Sequence, residues 1–437
     1  MSGDPQVGNQ PAPSNVRRTV MLGLFLLSVV TYLDRVCINS AAPEMQRDLG
    51  LSNAQWGMVV AAFLAAYGLF EVPGGWLGDR FGPRLILTRI VVWWSGFTAL
   101  TGVVRSYPQL LVVRAMFGAG EAGAYPNASC VVSRWFPPQQ RARAQGIVFM
   151  ASRLGGALSP LLVLPLIANW GWRSVFFVFS GLGIVWAAWW WKFFRDYPSQ
   201  KPGVNAGEIA IIGAAPAERV HVPLGGLLRS GNFWAILAVY HFFCYASNWY
   251  LFWTASYLSS EKGWQSSELA AYTALPFLLA GCADWLSGSL SDRLVNRIGL
   301  TWGRRIVGMA GIGTAGALIL LSLVIEDRIA ASLVLALGFA ASDVMLPVAW
   351  AVCVDVGREA AGSVSGAMNT AGQIGGVVMS VGYGALVDTY GWNLPLGLIA
   401  CSCFVSMLLW LKVDPSKPLL RVSADTIQTV GRTVSGQ

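Results

Sequence analysis

Residues 74–84 read GGWLGDRFGPR, a glycine-rich, charged stretch at which one long apolar run gives way to the next. Residues 287–297 read SGSLSDRLVNR and end another long apolar run in the second part of the chain. Both stretches carry an Asp-Arg pair that is followed four residues later by an arginine. This recurrence predicts that the chain contains two similar halves.

A second pair of stretches supports the repeat. GIVFMASRLGG at 146–156 aligns without a gap with GAMNTAGQIGG at 366–376, and the two share three glycines and one alanine. Two parallel halves of six helices each, with a substrate held between them near the middle of the bilayer, are a known plan of secondary transporters.

The composition excludes an ordinary soluble domain. Hydrophobic residues make up 55% of the 437 residues and charged residues only 12%, about half the usual charged share. Long apolar runs recur along the chain, and they are continuous rather than alternating, which argues against a membrane β-barrel. We therefore predict an all-α polytopic membrane protein of the twelve-helix, two-bundle kind.

Twelve apolar runs are each long enough to cross roughly 30 Å of hydrocarbon as a helix. The first is expected to stay as a span, because it ends in Asp-Arg and not in a small-residue cleavage site. The predicted spans are 20–42, 54–78, 84–104, 108–133, 142–166, 172–194, 232–258, 267–290, 304–325, 329–354, 360–386 and 391–412.

The distribution of basic residues predicts the orientation. With both termini in the cytoplasm, only five of the 30 Lys and Arg residues lie on the outer side: Arg47, Arg105, Arg173, Lys262 and Arg328. This bias follows the positive-inside rule for a protein of the cell membrane. It also leaves no basic domain for nucleic acid.

The predicted organisation has five parts. They are a cytoplasmic tail over 1–19, an N-terminal six-helix bundle over 20–194, a cytoplasmic linker over 195–231, a C-terminal six-helix bundle over 232–412 and a cytoplasmic tail over 413–437. Pro, Gly and charged residues mark the linker.

The charged stretch that follows span 2 resembles the loop signature of the major facilitator superfamily, with Pro83 in place of a usual basic residue. The resemblance implies the two-bundle fold and a gating role for the signature residues and their second copy. These residues are Gly75, Asp79, Arg80, Gly82, Arg84, Asp292 and Arg293. We also expect Glu71 and Asp284 to join the cytoplasmic gating networks.

A narrower resemblance is to the anion:cation symporter family, which includes sialin, the vesicular glutamate transporters and bacterial sugar-acid transporters. It rests on YLDR at 32–35 in span 1, on Arg114 and Glu121 in span 4, and on SGAMNTAGQIGG at 365–376 in span 11.

Span 4 also contains GAGEAG, which fits the dinucleotide fingerprint G-x-G-x-x-G. That motif needs a strand before it and a helix after it, and the apolar span offers no such unit. Arg114 and Glu121 lie two helical turns apart, about 10.5 Å, on one face. Gly118 between them leaves room either for a ligand or for close helix packing.

Ionisable groups inside a span are costly and usually face a cavity or a partner. We predict Asp34 and Glu121 as proton-coupling residues and Arg114 as the main anion contact, and the resemblance pairs Asp34 with Arg114. The alternatives are a buried ion pair that ties span 4 to its neighbour, and a rim charge at Asp34.

Further substrate contacts are predicted around these charges. Arg153 either contacts the substrate or pairs between helices, and the tyrosines are as compatible with packing as with a cavity wall. Polar residues of span 11 either meet polyol hydroxyls or bond neighbouring helices. The full set of predicted substrate contacts is Arg114, Arg35, Tyr32, Tyr67, Arg153, Ser365, Asn369 and Gln373. His241 and Asp343 receive no assignment.

We therefore expect a secondary active transporter that imports a small organic anion by proton-coupled symport and alternating access. A sugar acid, such as a hexonate, hexuronate or aldarate, is the favoured substrate. Exchange or export of an organic anion is the alternative, and a non-transporting membrane sensor is a remote one.

The remaining expectations concern chemistry and partners. The sequence has no catalytic triad, phosphate loop or metal-binding spacing of its seven cysteines and two histidines, so neither an enzyme nor a metal site is expected. No cofactor is expected; protons are the expected coupling ion and sodium stays open. The expected partners are the anion and the lipid bilayer, with the chain acting as a monomer. The identity of the anion stays open.

Overall fold

The computed structural model describes residues 12–213, 224–264 and 266–419. Within these ranges the chain is almost entirely helical and contains no strand. Parts of the predicted tails and linker lie outside the described residues: 1–11, 214–223 with Arg219 and His221, and 420–437 with Arg421 and Arg432.

The helices fall into two sets that a connector joins. The first set is α1 (Val16–Leu49), α2 (Asn53–Phe81), α3 (Pro83–Thr101), α4 (Tyr107–Glu121), α5 (Ala124–Trp135), α6 (Pro138–Trp170) and α7 (Trp172–Phe193). The connector contains α8 (Ala206–Ile212) and α9 (Leu224–Leu227). The second set is α10 (Gly231–Phe252), α11 (Thr254–Ser260), α12 (Ser266–Ile298), α13 (Leu300–Val324), α14 (Arg328–Asp343), α15 (Leu346–Gly357), α16 (Ala361–Tyr390) and α17 (Asn393–Leu409).

Predicted spans 4, 7 and 10 are each divided into two helices, α4–α5, α10–α11 and α14–α15. Between α4 and α5 the backbone turns at Gly123, which has a φ of 86°. Pro126 and Pro347 lie within the first turns of α5 and α15, where the missing N–H of proline costs no helical hydrogen bond. The breaks in spans 4 and 10 lie at equivalent places in the two halves.

The halves meet along two equivalent interfaces, α2 with α16 and α6 with α12. Glycines allow the backbones to touch there: a Cβ atom at Gly75 would lie 2.2 Å from the carbonyl oxygen of Gly362, and one at Gly146 would lie 2.4 Å from that of Asp284. The counterparts in the repeat make the same approaches, Gly288 to Ala142 at 2.3 Å and Gly366 to Glu71 at 2.8 Å. The glycines of the repeat are therefore packing residues of the interfaces.

Two aspartates of the loop signature and its copy close one side of the molecule. We call this the linker side, since the connector lies there, and the opposite one the far side. Asp79 accepts hydrogen bonds from the backbone N–H groups of residues 362–363 in the first turn of α16, at 2.9 and 2.7 Å. Asp292 accepts them from residues 142–143 near the start of α6, at 3.3 and 2.7 Å. The position of Asp79 is favoured because the first turn of a helix offers free N–H groups and the positive end of the helix dipole.

Arginines strengthen the contact on the linker side. Arg304 donates to Asp292 at 2.7 Å and to Asp355 at 3.1 Å, and Arg141 of the first half donates to Asp355 at 2.9 Å. Among the described residues, the hydrogen bonds and ion pairs that join the halves lie between the middle of the helices and the linker side. The halves are thus fastened on the linker side.

We predict that Gly146→Ala lowers the stability of the protein, because its methyl group would meet the backbone of α12 at 2.4 Å. Overpacking of this kind costs about 1–3 kcal/mol. The measurement is the thermal unfolding midpoint of the purified protein in detergent. Gly96→Ala is the matched control, since a Cβ atom there has no neighbour within 4 Å. Equal midpoints for the two variants would contradict the close approach.

Candidate functional site

Arg35 and Glu121 form an ion pair between α1 and α4 in the middle of the first half. Nε and Nη2 of Arg35 donate to one carboxylate oxygen of Glu121 at 3.1 and 2.9 Å. Glu121 is buried with 1% of its side chain exposed, whereas 23% of the Arg35 side chain is exposed. The partner of Glu121 in this conformation is thus Arg35 and not Arg114, which shares its helix.

Aromatic rings surround the two arginines. The guanidinium carbon of Arg35 lies 4.7 Å from the ring centre of Tyr67 and 5.4 Å from that of Tyr32. Arg114 lies 4.5 Å from Phe117 and 4.9 Å from Phe63. These distances are typical of cation–π contacts, which hold the faces of the guanidinium groups.

Gly118 serves the packing of α4 rather than a ligand. A Cβ atom there would lie 2.4 Å from the backbone carbonyl oxygen of Phe63 on α2. The close approach of α2 brings Phe63 between Arg35 and Arg114, at 5.5 and 4.9 Å. The glycines of the GAGEAG stretch thereby help to assemble the site by allowing close helix packing.

Asp34 is buried with 2% of its surface exposed. Neither of its carboxylate oxygens accepts a hydrogen bond of standard geometry from any residue in the described ranges. It interacts electrostatically with Glu121 and Arg114 and lies beside the indole of Trp94. Asp34, Arg35, Arg114 and Glu121 together form what we call the first charge cluster.

The polar residues of α16 are placed separately. The amide of Asn369 donates to buried Glu71 of α2, the Ser365 hydroxyl is buried without a hydrogen-bond partner in the described chain, and half-buried Gln373 lies against Gly68. The gating role predicted for Glu71 stays a prediction; its partner is the amide of Asn369 in the middle of the interface, because α16 packs directly on α2.

A second charge cluster consists of Arg153, Asp284 and Asp343. Arg153 of α6 donates to Asp343 of α14 at 2.5 Å and lies 3.9 Å from Asp284 of α12. Both aspartates are fully buried, and 16% of the Arg153 side chain is exposed. The gating role predicted for Asp284 stays a prediction; its charged neighbour is Arg153 of α6, on the other side of the interface between the halves.

The remaining predicted residues lie on the linker side. Asp79 and Asp292 form the contacts between the halves that are described above. The φ of Gly82 is 92°, and the backbone N–H of Arg84 donates to Asp196 at 2.9 Å. Arg80 is exposed and lies 5.1 Å from the ring of Trp76, and Arg293 is exposed on α12.

The two charge clusters share one arrangement. In each ion pair the arginine is partly exposed and its acid is buried. Such an arrangement offers positive charge to an anion and keeps carboxyl groups nearby that can exchange protons. In the described part of the chain, no three His, Cys, Asp or Glu side chains are arranged to hold a metal ion.

Sequence reasoning missed the partners of Arg153 and the ring of Phe63. A usable signal was present in the sequence: Pro126 follows Glu121 by five residues and Pro347 follows Asp343 by four, so an acid is followed closely by a proline in both spans. Carrying the repeat to spans 4 and 10 would have pointed to Asp343. Phe63 gave no signal, because one phenylalanine among many apolar residues looks like packing.

Two bundles of membrane helices with ionisable groups between them define the class of secondary membrane transporters. The sequence profile of the Major Facilitator Superfamily matches residues 24–380, and the chain belongs to this superfamily. The family resemblance predicted from the sequence is thereby confirmed, and the protein is a transporter and not an enzyme.

Named relatives align with nearly the whole chain. The probable sulfoacetate transporter SauU of Cupriavidus necator is 34% identical over 91% of this chain and 94% of its own length. The hexuronate transporter of Bacillus subtilis is 30% identical over 85% of this chain and 88% of its own. The crystal structure of the human organic anion transporter MFSD10 (TETRAN) has a TM-score of 0.71 at 16% identity and covers 90% of this chain and 99% of that one, which confirms the fold.

We predict that Arg35→Gln destabilises the protein and that Arg35→Gln with Glu121→Gln restores much of the loss. Removing one partner leaves an uncompensated buried charge, at a cost of about 3–5 kcal/mol. The loss should be larger at pH 8 than at pH 5, because a proton can neutralise the orphaned carboxylate. Thermal unfolding midpoints at the two pH values provide the measurement.

The matched control is Arg173→Gln, which removes a partner of the exposed Arg173–Asp48 pair. The hydrogen bond from Arg173 lowers the pKa of Asp48, but exposed pairs contribute only about 0–1 kcal/mol. If both single variants lost the same stability, the buried pair would not have the importance assigned to it.

Proposed function

We propose that the protein is a proton-coupled symporter that takes up a small organic anion by alternating access, with both termini in the cytoplasm. The first charge cluster carries the proposal. Arg35 is the partly exposed member of a buried pair and is held by Glu121 at 2.9 Å. A proton on Glu121 would weaken this pair and free Arg35 for a substrate carboxylate, so proton and anion would bind together.

Protonation of Glu121 should favour binding of the anion. With Glu121 ionised, its carboxylate competes with the substrate for the same guanidinium group. With Glu121 protonated, the competition ends and an incoming anion restores the charge balance. Asp34, a buried carboxyl beside the indole of Trp94, is the second proposed proton acceptor, and Arg114 supplies the compensating charge.

The contact pattern supports the direction of access. The halves are fastened on the linker side, which carries most of the basic residues and is therefore the proposed cytoplasmic side. The conformation then faces outward, and substrate would enter from the far side. Opening the linker side requires the release of Asp79 and Asp292 from α16 and α6.

A sugar acid is the favoured substrate, as the relative named for hexuronate suggests. Ser365, Asn369 and Gln373 supply neutral polar groups for hydroxyls on the α16 side. A second candidate is a short sulfonate-carboxylate dianion, which is favoured by the 34% identity to the probable sulfoacetate transporter. Such a dianion has no hydroxyls and would need two cationic contacts, for which we propose Arg35 and Arg114 of the first charge cluster.

Exchange or export of an anion remains the alternative mechanism, and a sensor the remote one. Uptake driven by an inward proton gradient favours symport. Uptake that occurs only when substrate is also present inside the vesicles favours exchange. Binding without flux would indicate a sensor.

The substrate class can be tested with purified protein. We expect one class, sugar acids or sulfoacetate, to raise the thermal unfolding midpoint, and we expect Arg35→Gln to abolish that rise while Arg173→Gln keeps it. A rise that survives Arg35→Gln would place anion binding elsewhere.

We predict that Glu121→Gln abolishes uptake driven by a proton gradient in proteoliposomes and preserves exchange between internal and external substrate. The amide cannot load or release a proton, but it leaves Arg35 free for the anion. Glu326→Gln, at an exposed position after α13, is the matched control and should retain both activities. Unchanged proton-driven uptake by Glu121→Gln would exclude the proposed coupling role.

A further inference from the structure

The second charge cluster contains more acid than base. Arg153 of the first half is placed between Asp343, at 2.5 Å, and Asp284, at 3.9 Å, both of the second half. Two fully ionised carboxylates would leave the cluster with one excess negative charge. The aspartates are fully buried, and a buried carboxylate without a compensating partner is strongly disfavoured.

No second basic residue of the described chain interacts with the two aspartates. Both oxygens of Asp284 and one oxygen of Asp343 accept no hydrogen bond from the residues that the structure describes. The other titratable neighbours are Tyr32 of α1 and Cys244 of α10, and neither carries a positive charge. A proton on one of the two carboxyl groups is the simplest way to balance the cluster.

The position of Asp343 repeats that of Glu121. Glu121 is the last residue of α4 and Asp343 is the last residue of α14, and each precedes a break in a predicted span. A proline lies in the first helical turn after each break, Pro126 in α5 and Pro347 in α15. Each acid also holds a partly exposed arginine, Arg35 or Arg153. The second half therefore contains a counterpart of the proposed coupling acid of the first half.

The two pairs differ in one important respect. Arg35 and Glu121 belong to the same half, whereas Arg153 reaches Asp284 and Asp343 across the interface between the halves. Separation of α6 from α12 and α14 must therefore remove Arg153 from both aspartates. The charge balance of this cluster is tied directly to the relative position of the halves.

We propose that Asp284 and Asp343 share one proton while Arg153 lies between them, and that they release it when the linker side opens. Opening admits water, so both carboxyl groups can ionise and the proton passes to a water molecule on the linker side. Closing restores Arg153 and draws one proton back. The existence of this second proton site does not depend on the proposed symport. Only its role in coupling rests on that proposed function.

The charge count can be tested by stability. Asp284→Asn and Asp343→Asn each leave one aspartate with Arg153, a pair that is balanced without a proton, so each should keep a midpoint near that of the parent. The double variant leaves Arg153 uncompensated, and its midpoint should fall by more than the sum of the single effects. Large losses in both single variants without a further loss in the double variant would overturn the proposal.

The link to opening can be tested without substrate. Spin labels at Gln139→Cys of α6 and Arg297→Cys of α12, both exposed on the linker side, would report the separation of the halves in vesicles by electron resonance. Exposed Cys282 and Cys401 would be replaced by serine. Because the closed state holds one more proton, the open-to-closed ratio should rise with pH, by up to about tenfold per pH unit for this proton.

We expect Asp284→Asn and Asp343→Asn each to remove this tenfold-per-unit contribution, and Asp388→Asn, at an exposed position near the far end of α16, to leave it unchanged. An unchanged slope in both cluster variants would overturn the proposal. If the parent protein took up substrate independently of protons while the pH slope still depended on the two aspartates, the symport would be overturned but not this site. If uptake were driven by protons but the pH slope did not depend on the two aspartates, this site would be overturned but not the symport.

Discussion

An ionisable side chain inside a bilayer needs an opposite charge, a hydrogen-bond donor or water, because the hydrocarbon core offers none of them. This requirement organises the middle of the protein. Arg35 meets Glu121 at 2.9 Å and Arg153 meets Asp343 at 2.5 Å. Among the described residues, both carboxylate oxygens of buried Asp284 stay without a hydrogen-bond donor. A carboxyl that is left in this way is the natural place for a proton.

The internal repeat turns this local requirement into a property of the whole molecule. The same close approaches of glycine to backbone occur in the α2–α16 and α6–α12 interfaces. Asp79 and Asp292 then bind the starts of α16 and α6 in equivalent ways. The contacts that close the linker side thus come in matched pairs.

The two charge clusters depart from the symmetry. The first lies within one half, so its acid and arginine can separate through a proton or a substrate anion without movement of the halves. The second crosses the interface, so it responds to the movement itself. A transporter that couples binding to opening needs both kinds of response, because a ligand shifts a conformational equilibrium only by its different affinity for the two states.

The sequence determined the fold class. Continuous apolar runs, the recurring Asp-Arg stretches and the superfamily signature are local features, and each survives in the structure. It also named most of the charged residues of the site, because a charge inside an apolar run is visible without coordinates. The partners were decided by the tertiary structure. Glu121 binds Arg35 of another helix, Glu71 binds Asn369 of the other half, and Arg153 joins Asp284 and Asp343. Helical spacing gives distances along one helix only, whereas partners across helices depend on how glycines and ridges let those helices pack.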